Sequence, residues 1–117
     1  MPTEVVINVH FGSFGISREA VFRMAELGNV DAIQELKKND IEYIEYFNSR
    51  YYLFVPDNTP RHDLVLVQTV RELGKMASSK YDQNLEIKTI QGNKYYIKEY
   101  DGLENVVEPH DIKWINV

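Results

Sequence analysis

The chain has 117 residues, 44 % of them hydrophobic and 26 % charged, a balance that fits one globular domain and argues against a disordered chain. It contains no cysteine, which excludes disulfides, thiolate-bound zinc and thiol nucleophiles and makes a reducing compartment the expected location. Its formal net charge of −5 disfavours a nucleic-acid partner, because such binding draws mainly on Lys and Arg neutralising phosphates.

No run of about 18 apolar residues exists, so no transmembrane helix is expected. Met1 to Asn8 lacks a basic segment followed by an apolar one, so no signal peptide is expected either. Eight tyrosines is a high count. Tyrosine forms strands well and is enriched in interfaces, and both readings stay open.

Glu4 to Phe11 (EVVINVHF) is short and β-branched, as a strand is. Gly12-Ser13-Phe14-Gly15 breaks it. Ser17 is placed to cap a helix by accepting a first-turn N–H, and Glu19 suits the positive end of that helix. From Arg18, the residues Ala20, Val21, Met24 and Leu27 share one helical face, and Gly28 stops it. Asn29 can cap a second helix with Val30, Ile33 and Leu36 facing inward and Lys37 and Lys38 at its negative end.

Ile41 to Phe47 and Tyr51 to Val55 read as a strand pair across Asn48-Ser49-Arg50. Pro56 to His62, with two prolines, is a surface loop. Asp63 caps the longest expected helix, Leu64 to Ala77, with Leu66, Val70, Leu73 and Ala77 as its inner stripe and Gly74 giving close packing. Leu85 to Ile90 and Tyr95 to Tyr100 form the clearest expected hairpin, joined across Gln91 to Lys94. Asp101-Gly102 is a further turn, and Ile112 to Val117 is expected as a last edge strand. The order β-α-α-β-β-α-β-β-β predicts an α+β two-layer domain, a mostly antiparallel sheet of about four to six strands with three helices.

Three stretches together resemble a family of small, uncharacterised proteins of bacteriophages and large DNA viruses. They are Val6 to Ser17, ending in HFGSFGIS; the Arg61-His62-Asp63 loop running into LVLVQTVRELGKMAS; and Tyr96 to Glu104, with IKEYDGLE at its core. The family usually has Cys-Tyr-Gly-Gly-Phe-Gly-Leu-Ser where His10 to Ser17 stand here, and often Pro where Leu64 follows the capping Asp63. The resemblance implies a viral product made in the cytoplasm of an infected cell. It implies no activity, so it carries over no catalytic residue.

Several constellations carry candidate chemistry. Backbone N–H groups at Gly12, Ser13, Phe14 and Gly15, with Ser17, could face an anion at the helix N-terminus, aided by His10 and Arg18; a nucleotide or other phosphate is the ligand class. The terminal Gly-Lys-Ser/Thr of a P-loop and the third glycine of a dinucleotide fingerprint are absent, and a tight turn with glycines at positive φ explains the same pattern. Phe11 and Phe14 read as core plugs beneath that turn, or as an exposed aromatic pair. His10, His62 and His110 with Asp63, Asp101 and Asp111 lack any zinc-enzyme spacing.

Glu99 to Glu104 reads as a solvated turn or as an acidic knob, through Asp101 and Glu104, for a basic partner. Tyr43, Tyr46, Tyr51 and Tyr52 would leave rings exposed on a strand pair, which suits a protein partner or a homo-oligomer. The leading expectation is therefore a soluble binding protein without a cofactor. The alternatives are a phosphate-ligand site at Gly12 to Ser17 and a structural part of a virus particle. No activated nucleophile, metal set or acid–base pair points to an enzyme.

Overall fold

The structure, a computed structural model, describes residues 3–10, 14–38, 59–78 and 85–117. The strand pair expected across 41–55 lies outside them. The described chain is mixed α+β. Strand β1 (Thr3–Asn8) leads to helices α1 (Arg18–Glu26) and α2 (Val30–Lys38). After the loop at 59–63 come helix α3 (Leu64–Leu73) and strands β2 (Leu85–Ile90), β3 (Tyr96–Tyr100) and β4 (Leu103–Val107). Among the described residues no helix is long and apolar enough to cross a membrane.

β1 is the axis of the domain because both of its faces are covered. On one face Val6 joins Leu85 of β2 beneath Ala20, Val21 and Met24 of α1 and Leu66, Val67 and Val70 of α3. On the other, Val5 and Ile7 pack with Ile90 beneath Ile97 of β3 and Val106 of β4. Val5, Val6 and Ile7 are therefore all buried, each contributing about 1.5–3 kcal/mol. This explains why EVVINV reads as a nearly continuous apolar run: alternation is lost when both faces are dry.

The helix boundaries follow their caps. Ser17 Oγ accepts from Ala20 N at 3.1 Å, Asn29 Oδ1 from Ala32 N at 2.9 Å, and Asp63 Oδ2 from Leu66 N at 3.0 Å. α1 ends in a Schellman closure, with Gly28 N donating to Ala25 O at 3.0 Å and Asn29 N to Met24 O at 2.9 Å. Gly28 has the φ of +94° that this closure needs. Within α2 the inward position is Ala32, fully buried, whereas Val30, expected to face inward, is exposed. Its place in the first turn sets it on the rim of the turn after Gly28.

α3 stops earlier than its apolar stripe. Gly74 takes φ +56° and ψ −127°, and residues Gly74–Ala77 continue as a 3-10 turn. Gly74 does not serve close packing, since nothing lies within 4 Å of where its Cβ would stand. Its role is conformational. Ile16 then bridges Ser78, and Ser17 N donates to Ala77 O at 2.8 Å, which ties the entry of α1 to the exit of α3. Arg23 Nε and Glu72 Oε1, 2.7 Å apart, strap α1 to α3 on the surface. Hydrogen bonds from Arg23 and Gln68 hold the Glu72 carboxyl below its ordinary range.

Strand pairing departs from the expected hairpin. β2 is antiparallel to β1, Val6 facing Ile87, and does not pair with β3. β3 pairs instead with β4, Tyr100 facing Leu103 across Asp101-Gly102. Both turn residues have positive φ, +52° and +89°, the geometry of a type I′ turn, whose twist matches the flanking strands. The link Gln91 to Lys94 has no such two-residue turn, and Ile90 is drawn to β1 by its apolar neighbours Val5 and Ile7. Residues 112–117, expected as an edge strand, adopt no regular structure.

Gly74→Ala tests the helix stop. The φ and ψ there suit glycine alone, so the variant loses about 1–3 kcal/mol of stability in urea unfolding, with no packing change to account for it.

Candidate functional site

The three resembling stretches converge at the outer edge of β1. Arg61, in the loop before α3, donates from Nη1 to Glu104 Oε1 at 2.6 Å and from Nη2 to Oε2 at 2.9 Å. Glu104 Oε1 also accepts from Asn8 N at 2.8 Å. The main chain of Arg61 completes the edge: its carbonyl accepts from Val6 N at 2.9 Å, and Nη1 donates to Val6 O at 3.3 Å. The guanidinium lies over the Phe14 ring, 3.5 Å from its centroid. Asn8 Nδ2 donates to His10 O and to Gly102 O, both at 2.9 Å, joining the end of β1 to the β3–β4 turn.

Sequence order hides this cluster because Arg61 and Glu104 are 43 positions apart and Asn8 and Glu104 are 96. One sign was present. Glu104 shares strand parity with Val106, so it points to the covered face, and it is only 4 % exposed. A carboxylate on that face needs a buried cation. Arg61 supplies it in the two-pronged geometry that guanidinium and carboxylate favour.

This arrangement changes the reading of the candidate anion loop. Ser17 is buried, its hydroxyl accepts from Ala20 N and donates to Met76 O, and its N–H is bound to Ala77 O. These groups close the α1 end. Arg18 Nε is 2.8 Å from Glu19 Oε1. Phe14 is buried, as a core plug is, and Gly15 is buried beside it. His10 is exposed. Phe11, Gly12 and Ser13 lie outside the described residues.

The acidic turn also divides. Asp101 is exposed at positive φ, as a turn residue, whereas Glu104 is turned inward onto Arg61 and cannot present its charge to a partner. Tyr43, Tyr46, Tyr51 and Tyr52 lie outside the described residues. The histidines and aspartates do not assemble. His62 Nδ1 is 2.8 Å from the Tyr95 hydroxyl, ring edge to ring face, while Asp63 caps α3. His110 sits beside Glu108 and Asp111, with ligand atoms within 4.8 Å of one another. Those carboxylates are already engaged, Glu108 by Gln91 N and Asp111 by Glu108 N, both at 2.9 Å.

A broad open depression of about 510 Å³ lies between the start of α2 and the loop before α3. Its polar wall is closed on itself: Asn29 Nδ2 donates to Thr59 Oγ1, and Thr59 Oγ1 to Asp31 Oδ2.

The described surface carries exposed apolar and aromatic side chains gathered in one stretch of the chain. Along β3, Tyr96, Lys98 and Tyr100 point away from β1, and Tyr96 and Tyr100 are 53 % and 74 % exposed. Beyond β4, Trp114 is 77 % and Ile115 93 % exposed, and Val117 is fully exposed. Of the eight large hydrophobic side chains most exposed among the described residues, these five belong to one part of the chain sequence, 96–117. The period-two spacing of Tyr96, Lys98 and Tyr100 was the signal for that face. No protein-family model, curated protein or solved structure matches this chain.

Two measurements test these contacts. Glu104→Gln leaves the Arg61 charge without its partner and lowers stability by about 3–5 kcal/mol in chemical denaturation. Tyr95, whose phenol burial raises above the ordinary range, contributes stability that is present below about pH 10 and fades as pH climbs through its raised value. Tyr95→Phe should therefore flatten the alkaline fall in stability just above pH 10.

Proposed function

We propose that this chain is a small viral accessory protein that works by contact, using the outer face of β3–β4 and the residues that follow it as its docking surface. The observation that carries this reading is the exposure of Tyr96, Tyr100, Trp114 and Ile115 in the one stretch 96–117. Tyr and Trp are the side chains most enriched at binding hot spots, because each brings a large rigid apolar area with a polar handle. Single exposed apolar residues are ordinary on any protein; large aromatic and aliphatic side chains exposed within one short stretch of chain are what a contact segment offers.

The Arg61–Glu104 junction serves as support for that face. It anchors β4 through its second residue and so fixes the ladder on β1. Lys98, between the two tyrosines, and Asp101, at the turn, add charge at the rim, which sets orientation and encounter rate more than affinity. The viral origin and the cytoplasm of an infected cell rest on the resemblance of the three stretches. A place in the virus particle is the same contact chemistry with a different partner.

The test is affinity purification of tagged protein from infected cells, wild type beside Tyr96→Ser/Tyr100→Ser. Both positions are exposed, so the variant folds as the wild type does. Proteins recovered with the wild type should be lost or reduced at least tenfold with the variant. An identical set from both overturns the reading.

A further inference from the structure

We infer that the partner for this surface is a second copy of the chain, with the 112–117 segment of each copy lying across the β3–β4 ladder of the other. The inference rests on the contact reading above and names its partner.

Knob and hole lie on the same molecule. A hollow of about 130 Å³ opens where the start of β3 meets the end of β4, with Tyr96, Val107, Pro109 and Ile112 among its walls. That volume suits one aliphatic side chain or the leading part of an indole. Trp114 follows Ile112 by two residues, and the backbone at Ile112 is extended, φ −83° and ψ 121°. Yet Trp114 and Ile115 stay exposed and do not fill the hollow of their own chain. A patch that carries both the projection and its receptor is self-complementary, which is what a twofold interface between identical chains requires.

The segment IKWINV also has unmet strand-forming capacity. Among the described residues β3 and β4 pair only with each other. Charge permits the contact despite the net −5 of the chain. Around the patch Lys94, Lys98 and Lys113 are interspersed with Asp101, Glu108 and Asp111, so no single sign dominates.

The area is sufficient. Two copies of Tyr96, Tyr100, Trp114, Ile115 and Val117 leave water together. At roughly 100 Å² each they bury on the order of 1,000 Å², the lower bound for a specific interface.

The chain's single tryptophan, Trp114, makes the test direct. Sedimentation of the full chain from low micromolar to several hundred micromolar should show a reversible dimer, with Trp114 emission moving to shorter wavelength over the same range. Ile115→Lys should weaken association at least tenfold and abolish the emission shift, and Trp114→Ala should weaken it similarly. Thermal unfolding of both variants, taken at concentrations where the wild type is monomeric, should match the wild type. A monomer with constant emission throughout, or a dimer indifferent to both substitutions, overturns the exchange. If that monomer still loses its captured partners on Tyr96→Ser/Tyr100→Ser, the contact reading stands without the exchange; if it does not, both fall.

Discussion

The outer edge of β1 is the constraint on which the described fold depends. One edge of this strand is paired with β2, and the opposite edge still carries backbone donors and acceptors that burial would leave unsatisfied. No described strand occupies that side. Arg61 takes the place of one, accepting from Val6 N through its carbonyl and donating to Val6 O through its guanidinium, and Glu104 accepts from Asn8 N. Each of the two charges makes the other tolerable in a dry site. The pair also makes the loop before α3 and the start of β4 dependent on the same strand. Packing of Arg61 over Phe14 brings the segment leading into α1 into that dependence as well.

From this edge the rest of the arrangement follows. Because β4 is fixed through Glu104, the β3–β4 ladder lies over Val5 and Ile7, with Ile97 and Val106 turned inward. Strand alternation then sends Tyr96 and Tyr100 outward, since they are one position out of phase with Ile97. The tyrosines are exposed as a geometric consequence of burying Ile97 and Val106. The contact proposed for this face rests on the size and aromatic character of the two exposed rings. Ser17, by contrast, has its hydroxyl engaged within the fold, capping one helix and tying it to the end of another.

Local signals were legible because their physics is local. Ser17, Asn29 and Asp63 each accept from an N–H three residues ahead, and Gly28 closes α1 through bonds to residues of the same helix. Such contacts span a few positions, so residue type and spacing determine them, along with the α+β class, the strand character of Thr3–Asn8 and the turn at Asp101-Gly102. Tertiary structure decided which strands pair, that Leu85–Ile90 joins β1 instead of β3, that residues 112–117 gain no strand partner among the described residues, and that Glu104 is buried on Arg61 instead of solvated in an acidic turn. Those outcomes turn on competition between surfaces far apart in sequence: Ile90 goes where Val5 and Ile7 offer it an apolar face, and a carboxylate can be buried only where a distant arginine meets it. Neither residue carries within its own neighbourhood the information about what it will touch.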